Sequence, residues 1–316
     1  MSSVKCLDAA MATNPQNTND SSVSNRPIRA SLYRLGKPVR DFFLYSSAYL
    51  AFIAVAEVLI VTELLSLPLT PAPLVAGLLT FAVYGNDRVA DVETDEQTTP
   101  ARTAFVKRYH RLLYTLSAVA YGLAVALAVL GGPIAFALAL VPGAVWIAYA
   151  QDWLPVSGRI KRLKQVFILN SVLVAGAWAL VIVFLPLAFV GGTLTPTAGI
   201  VFLFFFLSSF IRAEIPNVRD QSGDREIGVK TLPVVLGIRG TRYALYGVTS
   251  LAGALLVTAL VDDLLTLSEA VWLLISLTYL SCIIASLGRI GSDGRLTIAG
   301  ECSRLPLLVL VLPPLF

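Results

Sequence analysis

Residues 196–225 read PTAGIVFLFFFLSSFIRAEIPNVRDQSGDR. The apolar run that opens this stretch lasts to about residue 217. As a helix rising 1.5 Å per residue it would be about 33 Å long. The hydrocarbon core of a bilayer is about 30 Å thick, so one such helix can cross it. The stretch then turns polar at once and brings Asp220 and Asp224 four residues apart. A membrane span with carboxylates at its end is therefore the unit from which the rest of the chain can be read.

Eight further apolar runs flank it, at 42–66, 73–92, 111–130, 133–150, 166–187, 241–261, 269–288 and 297–315. Only 14% of the residues are charged and 56% are hydrophobic, against about 25% charged in an ordinary soluble domain. One core cannot absorb that much apolar surface, and a bilayer can. The predicted fold is all-α, a polytopic membrane bundle of about nine transmembrane helices spanning residues 34–316. Residues 1–33 are polar, rich in Ser, Asn and Thr, and lack the apolar centre of a signal peptide. They are expected to form a flexible tail.

The basic residues predict the topology. The segments 67–72, 131–132, 191–195 and 261–268 contain no Lys or Arg. Lys and Arg fall instead in the tail, in the other four loops and at the adjoining helix ends. Positive charge marks the cytoplasmic side. The N-terminus and the acidic loops are thus expected in the cytoplasm of a cell-membrane protein, and the C-terminus outside.

The chemistry lies in the acids. Cys6, Cys282 and Cys302 form no CxxC pair, and His110 is the single histidine, so a zinc site is not expected. The run Tyr84-Gly85-Asn86-Asp87-Arg88-Val89-Ala90-Asp91-Val92-Glu93-Thr94-Asp95 ends the second span. On a helix, Asp87, Asp91 and Asp95 would stack along one face. Like charges so spaced repel by about 0.2–0.5 kcal/mol a pair, which calls for a cation beside them. In the second cluster, Asp220 and Asp224 repeat the spacing, with Glu214 and Asn217 continuing the stripe. Solvated loop carboxylates are the plain alternative for either cluster alone. Two clusters on one membrane side suit a Mg²⁺-diphosphate, because Mg²⁺ takes hard oxygen ligands and shares them with substrate phosphates.

These residues resemble the signatures of the UbiA-type prenyltransferases. The first cluster is similar to the family's NDxxDxxxD motif. The second is similar to its DxxxD motif, and the likeness runs from Asp220 through Asp224, Lys230 and Thr231 to Pro233. It covers residues 34–316. Two departures stand out. Three residues separate Asp87 from Asp91 where the family usually has two, so either one residue is inserted or Asp87 replaces the first Asn. Asn217 stands where many members have Asp.

The resemblance implies an enzyme that moves an isoprenyl chain from a polyprenyl diphosphate to a small acceptor, such as a lipid-quinone or membrane-lipid precursor. It implies Mg²⁺ held by Asp87, Asp91, Asp95, Asp220 and Asp224, the catalytic set. Asn86, Arg88, Lys161, Asn170, Asn217 and Lys230 are implied as substrate contacts. Tyr84, one turn before Asp87, could offer a π-face to an allylic cation. The expected partners are the donor, the acceptor and membrane lipid, with no nucleic acid.

Glu57 stands apart, in the middle of the first span. A carboxylate there costs roughly 2.5–3.5 kcal/mol. It either binds the acceptor or is a protonated, hydrogen-bonded structural group. It is also the one midplane acid that a secondary transporter could use. That reading, and an inactive prenyl-diphosphate-binding protein, are the alternatives to the enzyme.

Overall fold

The computed structural model describes residues 38–92, 99–150, 166–226, 228–290 and 293–310. The expected tail, Asp95 and Lys161 lie outside them. The described residues from Phe42 onward make one compact unit. No strand occurs among the described residues.

The helices are α1 (Pro38–Tyr45), α2 (Ala48–Leu64), α3 (Ala72–Ala90), α4 (Pro100–Ala128), α5 (Gly132–Ala150), α6 (Leu169–Phe189), α7 (Pro196–Glu226), α8 (Leu232–Val261), α9 (Leu267–Ser286) and α10 (Asp293–Glu301). Local sequence explains many of their starts. Proline opens or immediately follows the start of α3, α4, α7 and α8; its fixed φ suits the first turn and its missing N–H costs nothing there. Helix α9 begins with a capping box. The Glu269 N–H donates to Thr266 Oγ1 at 3.3 Å, and the Thr266 N–H donates to Glu269 Oε2 at 2.7 Å.

The first eight expected spans fall on α-helices and the ninth only in part, with residues 311–315 outside the described residues; the differences have local causes. Helix α4 starts at Pro100, well before residue 111, and bends at Tyr109. Helix α5 runs through Pro142 without ending. Helix α7 continues to Glu226 past Pro216, so the second acidic motif lies in its last turns and not beyond it. Helix α8 starts at Leu232 and breaks at Gly237, whose φ of 68° suits glycine. The ninth run is α-helical only to Glu301 and then follows a 3₁₀ path over Cys302–Leu310. Arg304 is fully buried there, and Pro306 cannot donate to a regular helix.

Neighbouring helices pack side by side along the chain, and α2 also packs on α6 and on the 3₁₀ segment. Val58, Ile60 and Val61 of α2 join Leu79 of α3, Ile182 and Leu185 of α6, Phe204 and Phe205 of α7 and Leu273 of α9 in the main core. A second cluster links Ile211 and Ile215 of α7 to Leu245, Leu280 and Ile284. Many large apolar side chains face outward, among them Phe52, Leu123, Ile134, Leu251 and Leu274. Among the described residues, α6, α7, α8, α9 and the 100–148 stretch are long and apolar enough to cross a membrane, and α1 with α2 adds a sixth candidate as a bent pair. An apolar core inside and an apolar surface outside is the pattern of a bundle solvated by lipid.

Candidate active site

The ends of α3 and α7 open on one cavity of about 840 Å³. Asp87 sits in the last turn of α3, and Asp91 follows as its C-cap, its N–H donating to the Asp87 carbonyl at 2.9 Å. Asp220 and Asp224 lie on the last turns of α7. All four aspartates line the cavity, as do Tyr84, Arg88, Asn170 and Asn217. The distribution of basic residues predicts the two clusters on one side of the membrane; the fold brings them to one space.

Two of the expected contacts are elsewhere. Lys230 is exposed and does not line the cavity, whereas its neighbour Thr231 does and donates to Asp224 Oδ2 at 3.4 Å. The glycine-containing turn before α8 presents the hydroxyl inward and the ammonium outward. Asn86 does not line the cavity; its Oδ1 is buried with no hydrogen bond among the described residues.

Several partners fix the carboxylates. Trp146 of α5 donates its indole N–H to Asp87 Oδ1 at 3.3 Å. Arg219 holds Asp220 at both oxygens, Nε to Oδ1 at 2.7 Å and Nη2 to Oδ2 at 2.6 Å. Gln221 donates to the Pro233 carbonyl, tying the motif to the start of α8. Glu214 does not continue the cavity-facing stripe. It is buried beneath it, accepting from the Ser171 hydroxyl at 2.5 Å and from the Asn217 amide at 3.0 Å. It thereby orients Asn217, which does face the cavity.

Sequence reasoning passed over Arg102, Trp178, Arg212 and Glu301, all in the cavity wall. The Tyr84 and Trp178 rings stack, with centroids 5.7 Å apart and planes 12° apart. Arg212 and Glu301 did carry a signal: each is a charge within or beside an apolar run. Glu57 is explained by the same feature. It lies outside the cavity wall and pairs with Arg212 at 2.8 Å, with Arg304 at 3.7 Å.

Among the described residues, no three Asp, Glu, His or Cys side chains converge on a ready-made metal cage. The wall carries instead the carboxylates of Asp87, Asp91, Asp220, Asp224, Glu226 and Glu301, with Arg88, Arg102, Arg212 and Arg219 among them. This set fits a hard divalent cation that completes its shell with phosphate oxygens, and it does not fit a closed all-protein site.

An apolar bundle with two acidic helix ends over one interior cavity defines an integral, multi-pass membrane protein with a polar site at its core. The chain belongs to the UbiA prenyltransferase family, whose model matches residues 44–290, and it is a prenyltransferase by that membership. Solved structures share the fold. A UbiA homologue from Aeropyrum pernix K1, without ligand, matches with a TM-score of 0.64 at 17% identity, over 82% of this chain and 96% of that one. A UbiA homologue from Archaeoglobus fulgidus bound to DMAPP and Mg²⁺ matches with a TM-score of 0.59 at 15% identity, over 86% and 98%. A digeranylgeranylglyceryl phosphate synthase in membranes matches with a TM-score of 0.56 at 15% identity, over 87% and 97%. No curated protein matches the chain.

Proposed function

We propose that this protein transfers an isoprenyl chain from a polyprenyl diphosphate to a small acceptor, with Mg²⁺ as cofactor. The observation that carries the reading is the convergence of Asp87, Asp91, Asp220 and Asp224 on one cavity that also holds arginines and stacked aromatic rings. The Archaeoglobus fulgidus homologue's binding of DMAPP and Mg²⁺ supports it.

In this reading the four aspartates, with Asp95, would hold Mg²⁺, which would supply Lewis-acid stabilisation of the diphosphate leaving group. Arg88, Arg102 and Arg219 add positive charge around the departing oxygens. The allylic C–O bond breaks with its electron pair passing to the diphosphate. Tyr84 and Trp178 offer π-faces to the cationic carbon, an attraction worth about 2 kcal/mol when desolvated. Asn217, steadied by Glu214, and Asn170 orient the polar end of the donor. The acceptor then bonds to the allylic carbon and loses a proton. A lipid-quinone or membrane-lipid precursor is the acceptor class we favour. The distribution of basic residues supports a cytoplasmic N-terminus and cytoplasmic acidic loops.

The transporter alternative relied on Glu57 as a free acid at mid-membrane. Its pairing with Arg212 removes that support. The test is diphosphate release by the purified protein in detergent, with geranylgeranyl diphosphate and a panel of acceptors, with and without Mg²⁺. Mg²⁺-dependent release with one acceptor is the expected result. Absence of both donor binding and release under every condition would overturn the reading.

A further inference from the structure

The cavity has a second polar zone that the donor site does not use. Arg212 lies on α7 two turns before Asp220, about 12 Å away along the helix. Glu301 ends α10. Both line the cavity, and Arg212 Nη1 is 3.4 Å from Glu301 Oε2. Behind them, Glu57 Oε1 forms an ion pair with Arg212 Nη2 at 2.8 Å and lies 3.7 Å from Arg304 Nε. Arg304 in turn rests on the Phe205 ring at 4.1 Å and donates to the Ser208 hydroxyl. Two guanidiniums and two carboxylates thus sit together, Glu301 partly exposed and the other three buried, and their formal charges cancel.

Charge balance does not exhaust the hydrogen bonding. Arg212 is 8% exposed, yet its Nε and Nη1 make no hydrogen bond among the described residues. The zone therefore combines unused donors with no net charge to offer. An anion arriving beside Arg212 would compete with Glu57 and Glu301 for the guanidinium and leave an uncompensated negative charge in a low-dielectric site. An uncharged hydroxyl faces no such penalty. It can accept from Arg212 and donate to Glu301, satisfying both.

We propose that Arg212 and Glu301 form the head site for the acceptor and select one whose inserted end is an uncharged hydroxyl, against an ionised carboxylate. The proposal rests on the prenyl-transfer reading for calling this ligand the acceptor. Both residues would determine specificity; neither is assigned a role in breaking the donor's bond.

The test is calorimetric titration of the detergent-purified protein with two probes of similar size, 4-hydroxybenzyl alcohol and 4-hydroxybenzoate at pH 7, with and without Mg²⁺ and geranylgeranyl thiodiphosphate. The alcohol is expected to bind at least about tenfold more tightly, a difference in binding free energy readily resolved. In Glu301→Gln the floor gains one net positive charge, and the preference is expected to narrow or reverse. Equal or tighter binding of the carboxylate by the wild type would overturn the proposal, as would binding of neither probe. An unchanged preference in folded Glu301→Gln would also overturn it. The wild-type comparison stands even if that variant fails to fold. Binding of the thiodiphosphate, followed in the same samples, tests the transfer reading separately.

Discussion

Arg212 Nη2 stands 2.8 Å from Glu57 Oε1, joining α7 to α2 inside the bundle. Neither side chain is more than 9% exposed. Breaking a buried pair by removing one partner costs about 3–5 kcal/mol, because the other charge is left alone. Glu57→Ala is therefore expected to lower the thermal unfolding midpoint in detergent clearly. Replacing both partners, as Glu57→Leu with Arg212→Met, should recover much of that loss in the same assay. A double variant less stable than either single one would mean the pair itself is strongly favourable.

Asp91→Ala and Asp224→Ala are each expected to abolish turnover while the protein still inserts and purifies. If each carboxylate helps hold the ion that stabilises the leaving group, its loss removes several kcal/mol, about 100-fold or more in rate. Diphosphate release is the measurement. Near-normal release in both variants would rule out the two-cluster site.

Glu214 touches no part of the cavity yet accepts from Ser171 and Asn217. Glu214→Ala leaves the buried Ser171 hydroxyl unsatisfied, at about 1–3 kcal/mol, and releases the Asn217 amide. The expected result is reduced stability together with a raised KM for the donor. Glu214→Gln keeps acceptor capacity at one oxygen and should recover part of the KM. A variant that is destabilised with KM unchanged would make Glu214 purely structural.

His110 is exposed on α4, one residue after the bend at Tyr109. In a background lacking native cysteines, a cysteine at position 110 is expected to be labelled by an impermeant maleimide only when the cytoplasmic face is accessible. Labelling from the outer face alone would reverse the proposed topology.

The bundle was legible in the sequence because each helix that meets lipid must satisfy its own backbone and present apolar side chains over some 20 residues. Such patterns are local. The pairing of Asp87 with Asp91, and of Asp220 with Asp224, was legible for the same reason, since one helical turn separates each pair. Proline at helix starts and the Thr266–Glu269 cap were local too.

Whether a side chain faces the cavity depends on partners distant in the chain. Lys230 and Thr231 are adjacent, yet the turn before α8 sends only the hydroxyl inward. Glu214 shares a stripe with Asn217 but lies beneath the wall, claimed by Ser171 of α6. The sequence by itself determined a helical membrane protein with two acidic helix ends, because periodicity and hydropathy act within one element. Only the tertiary structure decided that Arg212 and Glu301 of the cavity wall and Glu57 and Arg304 behind it would neutralise one another. The reason is physical: a buried charge is tolerable only beside its opposite, and that partner comes from another helix.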